Sequence, residues 1–162
     1  MVSEYSEKLR GREVGKDPSV GKALFKNQCA GCHQVEGIGI PVGPNISDSR
    51  EHTYEKLLVA ILDPNRAIDA NYFRYLALTE DGETVDGLLR DSNANSVTLE
   101  SQNGVKRVLN RSELTDFKSS NTSMMPEGLE SQISVDQMGE LLWYLKNWRY
   151  VADNIPAVAK LP

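Results

Sequence analysis

Cys29-Ala30-Gly31-Cys32-His33 is the one place in this 162-residue chain where both cysteines and a histidine stand together. C-x-x-C-H is the order of a covalent haem c attachment site. Two residues between the thiols match the separation of two vinyl groups, and the histidine that follows is held beneath the ring, where an imidazole nitrogen can reach the iron. Other uses of these residues fit less well. A thioredoxin-like pair wants a helix start after a strand, and nothing ahead of Cys29 reads as a strand. A structural zinc site needs four ligands, and His52 is the only further histidine or cysteine. A disulfide across two residues closes a strained loop for little entropy.

The rest of the chain can build one core around that motif. Its length is that of a single domain, and 40% hydrophobic with 25% charged residues is ordinary for a soluble globular protein. A formal net charge of -5, made more negative by haem propionates, disfavours nucleic acid and anionic membranes as partners. No apolar run approaches the ~20 residues of a membrane span. Haem c is attached outside the cytoplasm, so a periplasmic or otherwise extracytoplasmic location is expected. Residues Met1 to Lys8 lack the apolar core of a secretory signal. The chain is therefore expected to be a processed or excised segment of a longer precursor.

Read in order, residues 1–17 are polar and suggest a loosely attached arm or linker. Pro18 suits the first turn of a helix carrying Val20, Ala23 and Leu24, which delivers the chain to Cys29. The segment from Gly37 to Asn45 is too rich in Gly and Pro for a helix or a central strand. Thr53 can cap a helix with Leu57, Leu58, Ile61 and Leu62 on one face, ended by Asp63-Pro64. His52, just before it, reads as a solvated polar residue. From Tyr72 the period becomes alternating, with hairpin turns at Glu80–Glu83 and Ser101–Gly104. This is an expected insertion of about four strands over residues 72–109, one face on the helical core and one in water. Ser134 and Gln137 form a capping box ahead of a helix burying Val135, Met138, Leu141, Leu142, Leu145 and Trp148.

Gly21-x-x-x-Phe25-x-x-x-Cys29-x-x-Cys32-His33, with Leu141-Leu142-Trp143-Tyr144-Leu145 near the other end, resembles the two crossing helices and haem site of class I cytochromes c. The resemblance narrows to the haem-binding domain of planctomycete and verrucomicrobial type. It is carried by Cys29 to His33, Gly43-Pro44, Leu62-Asp63-Pro64-Asn65, the hairpins with Asp81-Gly82, and Ser123-Met124-Met125-Pro126-Glu127-Gly128-Leu129. It implies a mainly α fold, the class I helical arrangement with an inserted small antiparallel sheet. Residues 1–17 would be an arm, 18–150 the cytochrome domain and 151–162 a C-terminal tail.

The same resemblance implies one covalent haem c on Cys29 and Cys32, with His33 as proximal ligand and the Pro44 carbonyl orienting its second ring nitrogen. A thioether is the usual sixth ligand of electron-carrying cytochromes c. Met1 lies on the polar arm and Met138 on the last helix, which leaves Met124 and Met125; a ligand directly before proline selects Met125. The sheet, just ahead of that loop, is expected to cover part of the haem pocket. Two strong axial ligands leave no open iron position, which implies one-electron transfer rather than enzymatic turnover. The implied partner is a redox protein or a fused dehydrogenase domain. The alternative is a haem enzyme or a gas or redox sensor with a displaceable sixth ligand. No second histidine near the distal stretch offers acid-base help to such an enzyme.

Overall fold

A computed structural model describes residues 2–150 and 159–160. Among the described residues the helical body has four α-helices: α1 (Val2–Leu9), α2 (Pro18–Leu24), α3 (Tyr54–Leu62) and α4 (Val135–Asn147). Asp17 caps α2 by accepting from the Ser19 amide, with Pro18 in the first turn. Thr53 caps α3 through the Lys56 amide, and the Ser134–Gln137 capping box closes at both of its bonds. Each cap contributes about 1 kcal/mol by satisfying amides that helix geometry leaves open.

α4 is the central element. Its Met138, Leu142, Trp143 and Tyr144 are at most 1% exposed. α2 crosses it at Gly21, and the rings of Phe25 and Tyr144 meet at 5.9 Å and 47°, the crossing implied by the resemblance. Leu57, Leu58, Ile61 and Leu62 of α3 complete the core. Where the polar composition of residues 1–17 suggests a loose arm, α1 packs on α3 and α4 with Tyr5 and Leu9 buried. Two apolar residues four apart are enough to dock an eight-residue helix, however polar its other face. Two-residue strands β1 (Glu13–Val14), β2 (Gln34–Val35) and β3 (Ile38–Gly39) follow. The expected tail at 151–162 falls outside the described residues apart from the backbone of 159–160.

The expectation of a mainly α fold is corrected by the second half of the chain. Strands β4 (Phe73–Thr79), β5 (Thr84–Ser92), β6 (Ser96–Glu100), β7 (Lys106–Asn110) and β8 (Leu114–Ser123) form one antiparallel sheet in the order β7-β6-β5-β4-β8. With 28% strand against 40% helix the fold is mixed α and β. Both expected hairpins are present, but the sheet has five strands and runs on to Ser123, the residue before Met124. β8 was hidden by its composition: Leu-Thr-Asp-Phe-Lys-Ser-Ser-Asn-Thr-Ser has no apolar alternation. An edge strand does not need one, because the backbone ladder to β4 and the stacking of Phe117 on Tyr75 at 5.4 Å hold it. Strand β9 (Ala159–Lys160) pairs with β1.

The faces of the sheet also differ from expectation. Ala77, Val85, Val97, Leu99 and Leu109 make a small apolar cluster of their own, separate from the helical core. On the opposite face stand Asp86, Leu88 and Glu100, Leu88 being paired with Glu100. Leu88 is 1% exposed. That face and its hairpin turn touch the loop after the C-x-x-C-H motif.

Candidate haem-attachment site

A π-helical turn, Phe25–Cys29, links α2 to the motif, closed by the Ala30 amide on the Phe25 carbonyl at 2.9 Å. Such turns insert one extra residue into a helix and recur at functional sites. The amides of Cys32 and His33 both return to the Cys29 carbonyl, at 3.1 and 2.8 Å. The loop that follows is stitched back on: Ile40 donates to the Ala30 carbonyl at 2.9 Å and Gly43 to the Cys32 carbonyl at 2.7 Å.

This stitching puts Pro44 beside the imidazole. His33 Nδ1 stands 3.0 Å from the Pro44 carbonyl oxygen. A carbonyl only accepts, so Nδ1 carries the proton and Nε2 keeps its lone pair. Gly43 is part of the same fit, because a Cβ there would lie 2.8 Å from His33 Cε1. Burial lowers the basicity of His33, and the Pro44 carbonyl opposes that shift. The neutral tautomer with a free Nε2 is the form that binds a metal.

Both cysteines are free thiols of intermediate exposure. Burial, with a smaller contribution from Cys32, pushes the Cys29 thiol up to about 11, and burial also raises Cys32. Two protonated thiols beside an imidazole with a free nitrogen are the donor set that haem c needs: sulfurs to bond the vinyl carbons and one base for the iron. Among the described residues no group of three or more His, Cys, Asp and Glu side chains could hold a metal ion.

Met125 borders the helical core, as do Cys29, Ala30, Ile38, Ile46 and Tyr54. Met124 is also half-buried. The methionine loop is held by a residue to which sequence reasoning gave no role. Asn65 accepts from the Ser123 amide at 2.7 Å through Oδ1 and donates to Glu127 through Nδ2. Within the loop, the Met125 amide donates to Ser123 Oγ at 3.1 Å. The sequence placed Asn65 only as the last residue of Leu62-Asp63-Pro64-Asn65, one of the stretches that carry the resemblance, with no contact assigned to it. His52 stands apart from this chemistry: its carbonyl accepts from Lys146 Nζ, which also holds the Arg50 carbonyl and lies 5.1 Å from the Tyr54 ring centre.

Compared with known families, residues 19–82 match the family model described as Cytochrome c. The match spans nearly all of α2, the attachment motif, α3 and β4, and ends in the turn before β5. It supports a c-type cytochrome with covalently bound haem and haem-based electron transfer. Comparison with curated proteins finds no match. No described helix is long and apolar enough to cross a membrane.

Proposed function

We propose that this chain carries one haem c on Cys29 and Cys32, with His33 and Met125 as axial ligands, and works as an extracytoplasmic one-electron carrier. Its donor or acceptor is an oxidoreductase, either a separate protein or a domain fused to it. The observation that carries the reading is the His33 Nδ1 contact to the Pro44 carbonyl at 3.0 Å, one residue after two free thiols. When bound, the haem supplies the one-electron couple.

The chain's own residues do the rest. The two thiols tether the ring, and the Pro44 carbonyl holds the imidazole in the tautomer and orientation of a ligand, raising its donor strength. Met125, on the border of the core, supports thioether ligation, because a soft, apolar donor beside buried residues would keep water away from the iron and would favour its reduced form. The sheet between α3 and the methionine loop supports the narrower planctomycete and verrucomicrobial type. A partner tethered close by raises effective concentration without a large interface.

Visible spectra of the purified protein in both oxidation states test the reading, together with acid-acetone extraction. Colour that stays with the protein, and a reduced spectrum of six-coordinate haem c indifferent to carbon monoxide and cyanide, are expected. Haem that passes wholly into the solvent overturns the attachment. Ready binding of carbon monoxide replaces the carrier with a sensor or enzyme that has a displaceable ligand.

A further inference from the structure

Arg90 interrupts the sheet. In β5 and β6, Leu89 faces Leu99 and Asp91 faces Thr98, so Arg90 is the extra residue of a β-bulge. Bulges re-aim a side chain out of the regular alternation. Here the guanidinium is aimed at the attachment loop. Its Nε meets Glu100 Oε2 at 2.5 Å, the Glu100 side chain being 12% exposed, while Nη2 donates to the Val42 carbonyl. One planar fork thus serves two acceptors, which an ammonium cannot do in the same geometry.

Val42 opens the segment on which His33 depends. The next residue, Gly43, donates to the Cys32 carbonyl, and Pro44 accepts from His33 Nδ1. A second contact from the sheet grips the other side of the motif. Asn103, in the turn between β6 and β7, donates its amide to the Gly31 carbonyl at 2.8 Å, and the Gln102 side chain packs on Gly31. Gly104 lies against Ile40. The sheet therefore holds the motif between the cysteines and again at the loop that returns to His33.

We infer that Arg90, fixed by Glu100, is a positioning residue for His33, and that holding the proximal side is a task of the inserted sheet. The hydrogen bonds of Arg90 go to Glu100 and the Val42 carbonyl, not to the imidazole or the thiols. It acts through the backbone of Val42, Gly43 and Pro44, whose placement sets the ring-nitrogen bond and with it the donor strength of the histidine. This inference rests on the reading of His33 as the proximal ligand.

The test is made on the haem-loaded protein with Arg90→Ala, Arg90→Lys and Glu100→Gln. Arg107→Ala is the control, because it removes an exposed ion pair to Glu83 on the same sheet away from the loop. The readouts are solvent exchange of the His33 Nδ1 proton, the paramagnetically shifted His33 ring signals, and the reduction potential. Arg90→Ala should speed the exchange about tenfold, the loss expected for one net hydrogen bond, and should move the ring signals and the potential. Arg90→Lys and Glu100→Gln should give smaller changes of the same sign, and Arg107→Ala none. If Arg90→Ala does not fold, the two milder variants carry the comparison. Exchange, ring signals and potential that stay at parent values while stability falls would make Arg90 a purely structural residue and overturn the inference. A parent protein without shifted His33 signals overturns the ligand reading itself, a failure seen before any variant is made.

Discussion

Tyr144 occupies the space that a side chain at Gly21 would need: a Cβ built on Gly21 would lie 2.7 Å from Tyr144 Cβ, with the backbone of Glu140 closer still. The α2–α4 crossing therefore depends on a missing methyl group. Ala at position 21 would gain roughly 1 kcal/mol of helix propensity. Against this stands overpacking of about 1–3 kcal/mol, at the upper end because a helix carbonyl cannot move aside as a side-chain tip can. Gly21→Ala is expected to lower stability in urea titration, and an unchanged or raised midpoint would mean that the two helices are further apart than described.

The hydroxyl of the same tyrosine makes a second prediction. Tyr144 donates to Glu36 Oε2 at 3.0 Å, and that carboxylate also pairs with Lys22 at 2.9 Å. Burial first, then the bond and charge of Glu36, push the phenol above its usual range. A group whose pKa is raised on folding contributes stability that is fully present below the unfolded value, about 10 for Tyr. That contribution fades as pH climbs from there toward the folded value. The parent should lose stability more steeply between pH 9 and pH 11, roughly the window just around the unfolded value, than Tyr144→Phe does. Tyr5 and Tyr54, also raised by burial, leave a residual slope in the variant.

How much of this could be read in the residues depended on whether the signal was local. The Thr53 cap, the Ser134–Gln137 box and the two Gly-containing hairpin turns each lie within a few residues of chain, and the structure forms them where the spacing puts them. Leu114–Ser123 carried no such signal, since an edge strand borrows its order from β4, and so the sheet was read one strand short. Tyr5 and Leu9 were hidden in the same way by the polar residues around them. At the site, the resemblance to class I cytochromes c pointed to Pro44, whose carbonyl lies 3.0 Å from His33 Nδ1. The contacts of Arg90 and Asn65 were illegible because each acts on a loop distant in sequence, 48 residues away at Val42 and 58 at Ser123.

The methionine pair offers the most direct test of axial ligation. Met125 borders the core cluster that also touches Cys29, which favours it over its neighbour. Met125→Ala is expected to abolish the weak long-wavelength sulfur-to-iron band of the ferric protein and to lower the potential, whereas Met124→Ala keeps both. The opposite pattern would move the role to Met124. Mild oxidation of the ligand to its sulfoxide should reproduce the loss, because the oxidised sulfur is a poorer and more polar donor.

Asn65 governs how firmly that loop is held. Its side chain joins the end of α3 to both flanks of the methionines, accepting from the Ser123 amide and donating to Glu127. Asn65→Leu keeps much of the volume and removes both bonds, leaving a half-buried amide at Ser123 without its acceptor. About 1–3 kcal/mol of stability should be lost, and amide exchange at Ser123 and Met125 should quicken more than in β4 or β5. Added imidazole should then compete more readily for the sixth position. Asn65→Asp separates the two bonds: it keeps the acceptor for Ser123 and replaces the donor with a carboxylate facing Glu127. If the Ser123 bond is the one that holds the loop, Asn65→Asp should leave exchange at Ser123 slow while Asn65→Leu does not. Equal loosening in both variants would instead assign the hold to Glu127.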